Sequence, residues 1–462
     1  MIAKKNWFLG WVFLFVFFTA APTLAAPNDE ISTFEPFVGQ VALAGLESPW
    51  AMVWGPDGHI WITEREGQRV VDVDPVSWRK TVLVEIPQIK KGPQHEGLLG
   101  LVLAPDFKKS NLVYLNYTYL DGTSEKHKIV RYKYDAATKK LVNPEDVLVG
   151  LPAGSDHQGG GLIFGPDGQL YLTKGDLGHN QGANRCKPNE AQRLPTAEEL
   201  AKKDYSAYVG KTLRVAPDGG VPTDNPILNG VKSHVFTYGH RNPQGLVFIG
   251  QRLYSVEHGP SSDDELNLLV AGGNYGWPLI AGYQDDQAYG YIDWSKVSKC
   301  EKVKPDVYLP SDTPVEKETK WDRKDFQEPV RTFYTVANSY SFKDPTFGAL
   351  SYLGWPTIAP SSLAYYPANG PIKAWRNSIL ISSLKNGAIY RLPLSGDAKN
   401  IQGDVSKYFH TANRYRQVLI SPDGRSIYVI TDSSGNVIDE NGKPDKILRN
   451  PGGLIVFKFT GN

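Results

Sequence analysis

Four segments of this 462-residue chain combine ionisable side chains with glycine or proline, the composition of loops that face a ligand. The first, DHQGGGLIFGPDG at 156–168, sets His157 beside Asp156 and just ahead of Gly159, Gly160 and Gly161. An imidazole that titrates near neutrality suits general-base work, and glycines leave room for a substrate to approach it. A lone histidine also serves as a structural or surface residue. The second, GHRNPQG at 239–245, offers the fork of Arg241 with the amides of Asn242 and Gln244. Those donors suit a planar or anionic group, and the same spacing fits a rigid turn. The third, EHGPSSDDELNL at 257–268, places Asp263, Asp264 and Glu265 after Gly259-Pro260. Carboxylates and exposed carbonyls are the hard ligands that calcium prefers, although there is no EF-hand spacing and a solvated acidic turn reads the same way. The fourth joins SLKNG at 383–387 to NRYRQV at 413–418. Its Lys385, Arg414 and Arg416 form either a receptor for several carboxylates or a surface charge cluster.

Residues this far apart converge only if the fold gathers them, and a repeat shows how. GPDGHIWITE at 55–64, GPDGQLYLTKGD at 165–176 and SPDGRSIYVITD at 421–432 each read as a tight turn, an apolar strand and a polar end. Proline presets one dihedral, aspartate caps through its side chain, and glycine takes the positive-φ position. Degenerate copies follow the same plan at 104–118, 248–259 and 369–385, with uneven spacing that implies long insertions. Six copies predict an all-β fold, a six-bladed β-propeller with inserted loops. Equivalent strands are then expected along a central channel. Their polar ends should meet at one mouth: Thr63-Glu64, Asn116-Tyr117, Asp176, Glu257-His258, Ser383-Leu384-Lys385 and Thr431-Asp432. TAEELAKK at 196–203 predicts a short helix within an insertion.

Lys4 and Lys5, an apolar run over 7–18 and small residues over 19–26 follow the order of a secretory signal peptide. Cleavage after Ala25 leaves 26–462 as one domain, periplasmic or secreted. The apolar run falls short of the roughly 20 residues of a membrane span, and no later segment is longer. A net charge of +1 gives no excess to attract nucleic acid or an anionic membrane. Cys186 and Cys300 are the only cysteines, and the sequence leaves open whether they pair.

RNPQG, GPSSDDE, NYGWP and NRYR occur in this order, together with GLLGLVLAPDF at 97–107, KDYSAYVGKTLRV at 203–215 and GWPTIAPSS at 354–362. Through nearly the whole mature chain they resemble the soluble pyrroloquinoline quinone (PQQ)-dependent glucose dehydrogenase family. The resemblance implies a six-bladed propeller that oxidises an aldose to a lactone by hydride transfer to PQQ, with electrons passed to an external acceptor. It implies His157 as general base, Asp176 as its orienting partner and Asp156 as a sugar contact. Arg241 and a calcium ion would polarise the quinone. Asn242, Gln244, Thr357, Lys385, Arg414, Arg416, Asp432 and Asn436 match cofactor-binding positions, and Tyr352 and Trp355 match aromatics beside cofactor and sugar. Calcium would sit on the carbonyls of Gly259 and Pro260. A second calcium pair, near a dimer interface, would use the carbonyls of Ala281 and Tyr283 with Asp285 and Glu318.

The sequence departs from that family at several points. His95-Glu96 and His258 stand where the glucose enzymes carry Gln, and Phe347 and Gly354 stand at the positions of a disulfide. In the sugar-side loop at 182–192, Gly182 and Asn184 replace bulkier residues, which implies a broader sugar range. Two other readings compete. A lactonase-like calcium hydrolase on a propeller needs several Asn, Asp and Glu side chains on the metal, whereas cations dominate here. A non-catalytic carbohydrate-binding propeller would tolerate losses among His157, Arg241, Lys385, Arg414 and Arg416, and none is lost.

Overall fold

The computed structural model describes residues 36–92, 94–302 and 314–461; the expected signal peptide lies outside them. Six four-stranded antiparallel sheets account for the main architecture. Blade 1 is Pro49–Trp54, Ile60–Glu64, Arg69–Val73 and Lys80–Glu85, and blades 2 to 5 follow in chain order. Blade 6 takes Tyr415–Ile420, Ser426–Thr431 and Leu454–Phe459, and borrows its outer strand, Phe37–Leu43, from the other end of the chain. The first strands of the blades contact one another in a closed ring around the axis. This is the six-bladed propeller that the repeats predict.

Each of the six repeats covers the turn between the first and second strands of a blade, and then the second strand. The Pro-Asp-Gly turns close as expected: Gly58, Gly168 and Gly424 have φ of 79°, 75° and 71°. The channel assignment needs correcting. The repeated strand is second in its blade; the strand before it lines the axis. A second strand has neighbours on both sides and packs on both faces, so it reads as a continuous apolar run such as the fully buried Ile60–Glu64. The axial strands are crowded instead. A Cβ at Gly161 would lie 2.4 Å from the Gln244 carbonyl oxygen, and one at Gly245 would lie 2.7 Å from Ser362 Cα.

Apolar side chains fill the spaces between blades. Trp61, Leu83, Leu99 and Val113 pack between blades 1 and 2, and comparable clusters separate every other neighbouring pair, including blades 6 and 1. The core is therefore a ring of six layers with no terminal face. Insertions rise from the ring. One, in blade 3, contains the helix Ala197–Ala201, the short helix predicted over 196–203, capped reciprocally by Thr196 and Glu199. Another, in blade 4, reaches across to it, where Cys186 and Cys300 form a disulfide. Among the described residues no helix is long and apolar enough to cross a membrane.

Candidate active site

His157 lies on the connection from blade 2 to blade 3, with a left-handed backbone (φ 42°). Its carbonyl rests so close to Gly175 that a Cβ there would meet it at 1.9 Å, so glycine is required at the end of the blade 3 second strand. The next residue, Asp176, is fully buried and accepts a hydrogen bond from His157 Nδ1 at 2.7 Å. Trp277 Nε1, Asn189 Nδ2 and Gln181 Nε2 donate to its second oxygen at 2.7, 2.9 and 3.1 Å. An ionised carboxylate only accepts, so the proton of a neutral His157 sits on Nδ1 and Nε2 keeps its lone pair. Nε2 is 3.7 Å from Asp156 Oδ1. Burial acts to raise the Asp156 carboxyl, but His157, His95 and Arg241 outweigh it and hold the group below the usual carboxylate range.

A cavity of about 450 Å³ opens here, bounded also by His95, Arg241, Asn242, His258, Tyr352, Trp355, Thr357, Lys385 and Arg414. The guanidinium of Arg241 packs over Trp277, its centre 5.5 Å from the ring, and donates from Nε to Gln181 Oε1 at 2.8 Å. Burial lowers its pKa against the opposing pull of Asp176 and Asp156. Lys385 Nζ donates to the Trp355 carbonyl and to Thr357 Oγ1. Burial pushes Lys385 down to about 7, against the pull of Asp264. Asn242 is fully buried, and both polar atoms of its side chain lack a partner. A buried amide in that state costs roughly 1–3 kcal/mol, so this wall suits a ligand with both donors and acceptors.

Four further candidates stand behind this wall. Arg416 makes two hydrogen bonds to Asp432 at 2.8 and 2.9 Å, donates to Gln244 Oε1 at 2.8 Å and covers Trp50. Arg416, Asp432 and Asn436 line an adjoining cavity of about 390 Å³ that shares His95, Tyr352 and Arg414 with the first. Gly182 and Asn184 lie outside the residues lining either cavity, and Asn184 donates its amide to the Leu177 carbonyl within its own loop. Several polar strand ends also stay away from the mouth. Glu64 is buried against Arg69 and Lys80, and Asn116 donates to the Gly160 carbonyl at 3.1 Å, bracing neighbouring blades.

The acidic segment resolves similarly. Asp264 accepts from the backbone of Gly259, Ile358 and Ala359 at 2.7–2.8 Å. Asp263 is engaged by Ser262 and Thr335, and Glu265 by Gly282 N and Asn267. These carboxylates shape the loop, whose Gly259, Pro260 and Asp264 line the cavity. Further out, buried Glu318 accepts from Ala281 N at 2.9 Å and Asp286 N at 3.0 Å. Burial, with the nearby charge of Asp285, raises it to about 8. Two carboxylates that repel each other, beside the carbonyls of Ala281 and of Tyr283, which also accepts from Asp285 N at 2.9 Å, make a hard-oxygen donor set of the kind calcium takes.

The other two histidines lack a carboxylate brace like that of His157. His258 Nε2 is committed to the Pro360 carbonyl at 3.0 Å, and burial holds its pKa well down. His95 Nδ1 has no hydrogen-bond partner and lies 3.6 Å from Asp156; burial lowers its pKa to about 3. Sequence reasoning missed Gln181, Asn189 and Trp277 as supports. Trp277 falls within the NYGWP motif, but neither Gln181 nor Asn189 carries any local signal.

The sequence model of the glucose/sorbosone dehydrogenase family matches residues 46–311 and 336–439. The chain is 43% identical over 437 residues to quinoprotein glucose dehydrogenase B of Acinetobacter calcoaceticus, covering 92% of this chain and 91% of that one. It is 27% identical to aldose sugar dehydrogenase YliI of Escherichia coli K12, across 85% of this chain and 90% of that one. The solved PQQ-bound aldose sugar dehydrogenase of Streptomyces coelicolor superposes with a TM-score of 0.61 at 26% identity, covering 92% and 99% of the two chains.

Proposed function

The chain belongs to the glucose/sorbosone dehydrogenase family, and we propose that it is a PQQ- and calcium-dependent aldose dehydrogenase that oxidises the anomeric carbon to a lactone. The observation that carries this reading is the Asp176–His157 pair opening onto a cavity shared with Arg241, Lys385 and the unpartnered amide of Asn242. PQQ, when bound, supplies an electrophilic quinone carbon that accepts hydride. Lys385 and Arg414 would hold its carboxylates, Asn242 and Thr357 its polar edge, and Arg241 a quinone oxygen, where a fixed cation stabilises developing negative charge. Gln244, Arg416, Asp432 and Asn436 complete the receptor from behind. The Gly259 and Pro260 carbonyls would hold one calcium; Asp285, Glu318 and the carbonyls of Ala281 and Tyr283 would hold a second, structural pair.

His157 Nε2 takes the proton of the anomeric hydroxyl while Asp176 keeps the ring oriented and stabilises the imidazolium. Asp156, with 40% of its side chain exposed, contacts the sugar and offers the proton a route to water. Tyr352 and Trp355, with rings 6.5 Å apart, form an apolar wall for a sugar face. With Gly182 and Asn184 away from the cavity, the sugar side stays open and supports a range of aldoses. The N-terminal sequence supports export, which places the electron acceptor outside the cytoplasm.

Reconstitution tests the reading. Purified protein stripped with a chelator should oxidise aldoses, coupled to a dye acceptor, only when both PQQ and calcium are restored. Equal activity with nicotinamide cofactors, or without PQQ, would falsify it.

A further inference from the structure

The segment 177–192 has little structure of its own, only the 3-10 turn Gly182–Asn184, yet it supplies two of the side chains that hold the Asp176 carboxylate. Gln181 also accepts the Nε hydrogen of Arg241 at 2.8 Å, so one amide spans the carboxylate and the guanidinium. Cys186 lies between Gln181 and Asn189 in sequence, and its disulfide ties the segment to the blade 4 insertion. Neighbouring bonds reinforce the join. Asn180 Nδ2 donates to the Ile292 carbonyl at 2.8 Å, Trp294 N donates to Asn180 Oδ1 at 2.8 Å, and Arg185 Nε donates to the Cys300 carbonyl at 3.3 Å. The receiving segment is itself anchored, since Tyr291 and Glu316 exchange backbone hydrogen bonds at 2.9 and 2.8 Å.

We propose that the Cys186–Cys300 disulfide is a positioning clamp for catalysis: it fixes Gln181 and Asn189, and through them the orientation of Asp176 and Arg241. This rests on the reading of His157 and Asp176 as base and partner. A chain so poor in regular structure samples many conformations unless it is cross-linked. With the clamp open, Asp176 keeps Trp277 and the Gly178 N–H, and Arg241 keeps Trp277 and the His258 carbonyl. The site therefore loosens without coming apart, and the effect falls on the rate more than on cofactor binding.

The test compares the wild type with Cys186→Ser/Cys300→Ser, each reconstituted with PQQ and calcium, in the native background and with Gln181→Ala/Asn189→Ala. Loss of the disulfide should lower kcat about tenfold in the native background, within the range that a displacement near 1 Å produces. In the Gln181→Ala/Asn189→Ala background the further loss should stay below about twofold, because the clamp acts through those two residues. PQQ stoichiometry by absorbance titration should remain that of the wild type, and trypsin should cut the PQQ-free variant after Arg185 sooner than the wild type. Where the serine variant does not fold, the wild type reduced and alkylated under native conditions replaces it. An unchanged kcat, or the same tenfold loss in both backgrounds, overturns the clamp. A wild type that oxidises no aldose overturns the base assignment and the clamp with it, whereas an active wild type beside an equally active variant overturns the clamp alone.

Discussion

Three histidines reach one cavity, and what separates them is the partner that braces the ring. His157 has Nδ1 bound to a buried carboxylate and Nε2 open to the cavity; His258 has given Nε2 to a carbonyl. His157→Ala should therefore lower kcat by about 10²–10⁴-fold, with much smaller changes in KM and PQQ affinity, because a general base acts in the transition state. Steady-state kinetics with a cofactor titration checks this; near-wild-type kcat would refute the base assignment. Lys385 gives a prediction about pH. Burial sets its pKa near 7, and an arriving carboxylate favours the ammonium and raises that value. Below pH 7 the amine is already charged, so binding needs no proton. Above pH 7 binding takes one up, and the Kd for PQQ should rise toward about tenfold per pH unit. Lys385→Met should bind more weakly and lose most of this slope. A Kd that stays constant from pH 7 to 9 in the wild type would contradict the assignment.

At the level of elements, what could be read in advance follows from where the physical constraint lies. Pro-Asp-Gly turns and doubly packed second strands are constrained by their own residues, so the blade count is readable in 55–64, 165–176 and 421–432 with their degenerate copies at 104–118, 248–259 and 369–385. The axial strands are constrained by neighbours across the channel. Gly161 and Gly245 are small because another blade's backbone lies against them, and a stretch such as GGGLIF has no period that would reveal it. The site divides in the same way. Residue type and punctuation pointed to His157, Arg241, Asn242 and Lys385, which share one cavity, but Arg416 and Gln244 proved to be joined behind it. Roles for these residues came from the family resemblance, since composition cannot distinguish a base from a brace. Gln181, Asn189 and the pairing of Cys186 with Cys300 depend on the meeting of two irregular insertions, which no local pattern encodes.

For the whole molecule, the decisive feature is that the ring closes through both ends of the chain. Phe37–Leu43 pairs along Leu454–Phe459, and Phe37 packs against Trp375, Phe409 and Phe459 with ring centres 5.0–5.5 Å apart. Each apolar layer needs a blade on both sides, and the candidate site draws on the junctions of several blades: His157 between 2 and 3, Arg241 between 3 and 4, Lys385 within 5 and Arg414 at the start of 6. A chain beginning at Ala44 keeps all these side chains but leaves the Leu454–Phe459 edge unpaired. Burial of one aromatic side chain contributes about 1.5–3 kcal/mol, and a bare edge strand invites pairing between molecules. The shortened chain should therefore lose about 3 kcal/mol or more in chemical denaturation and should associate in size-exclusion chromatography. Loss of PQQ-binding capacity should track the associated fraction, since the cationic residues meet only in the closed ring. A shortened chain with wild-type stability and full cofactor capacity would show that the six layers hold the ring shut without this strand.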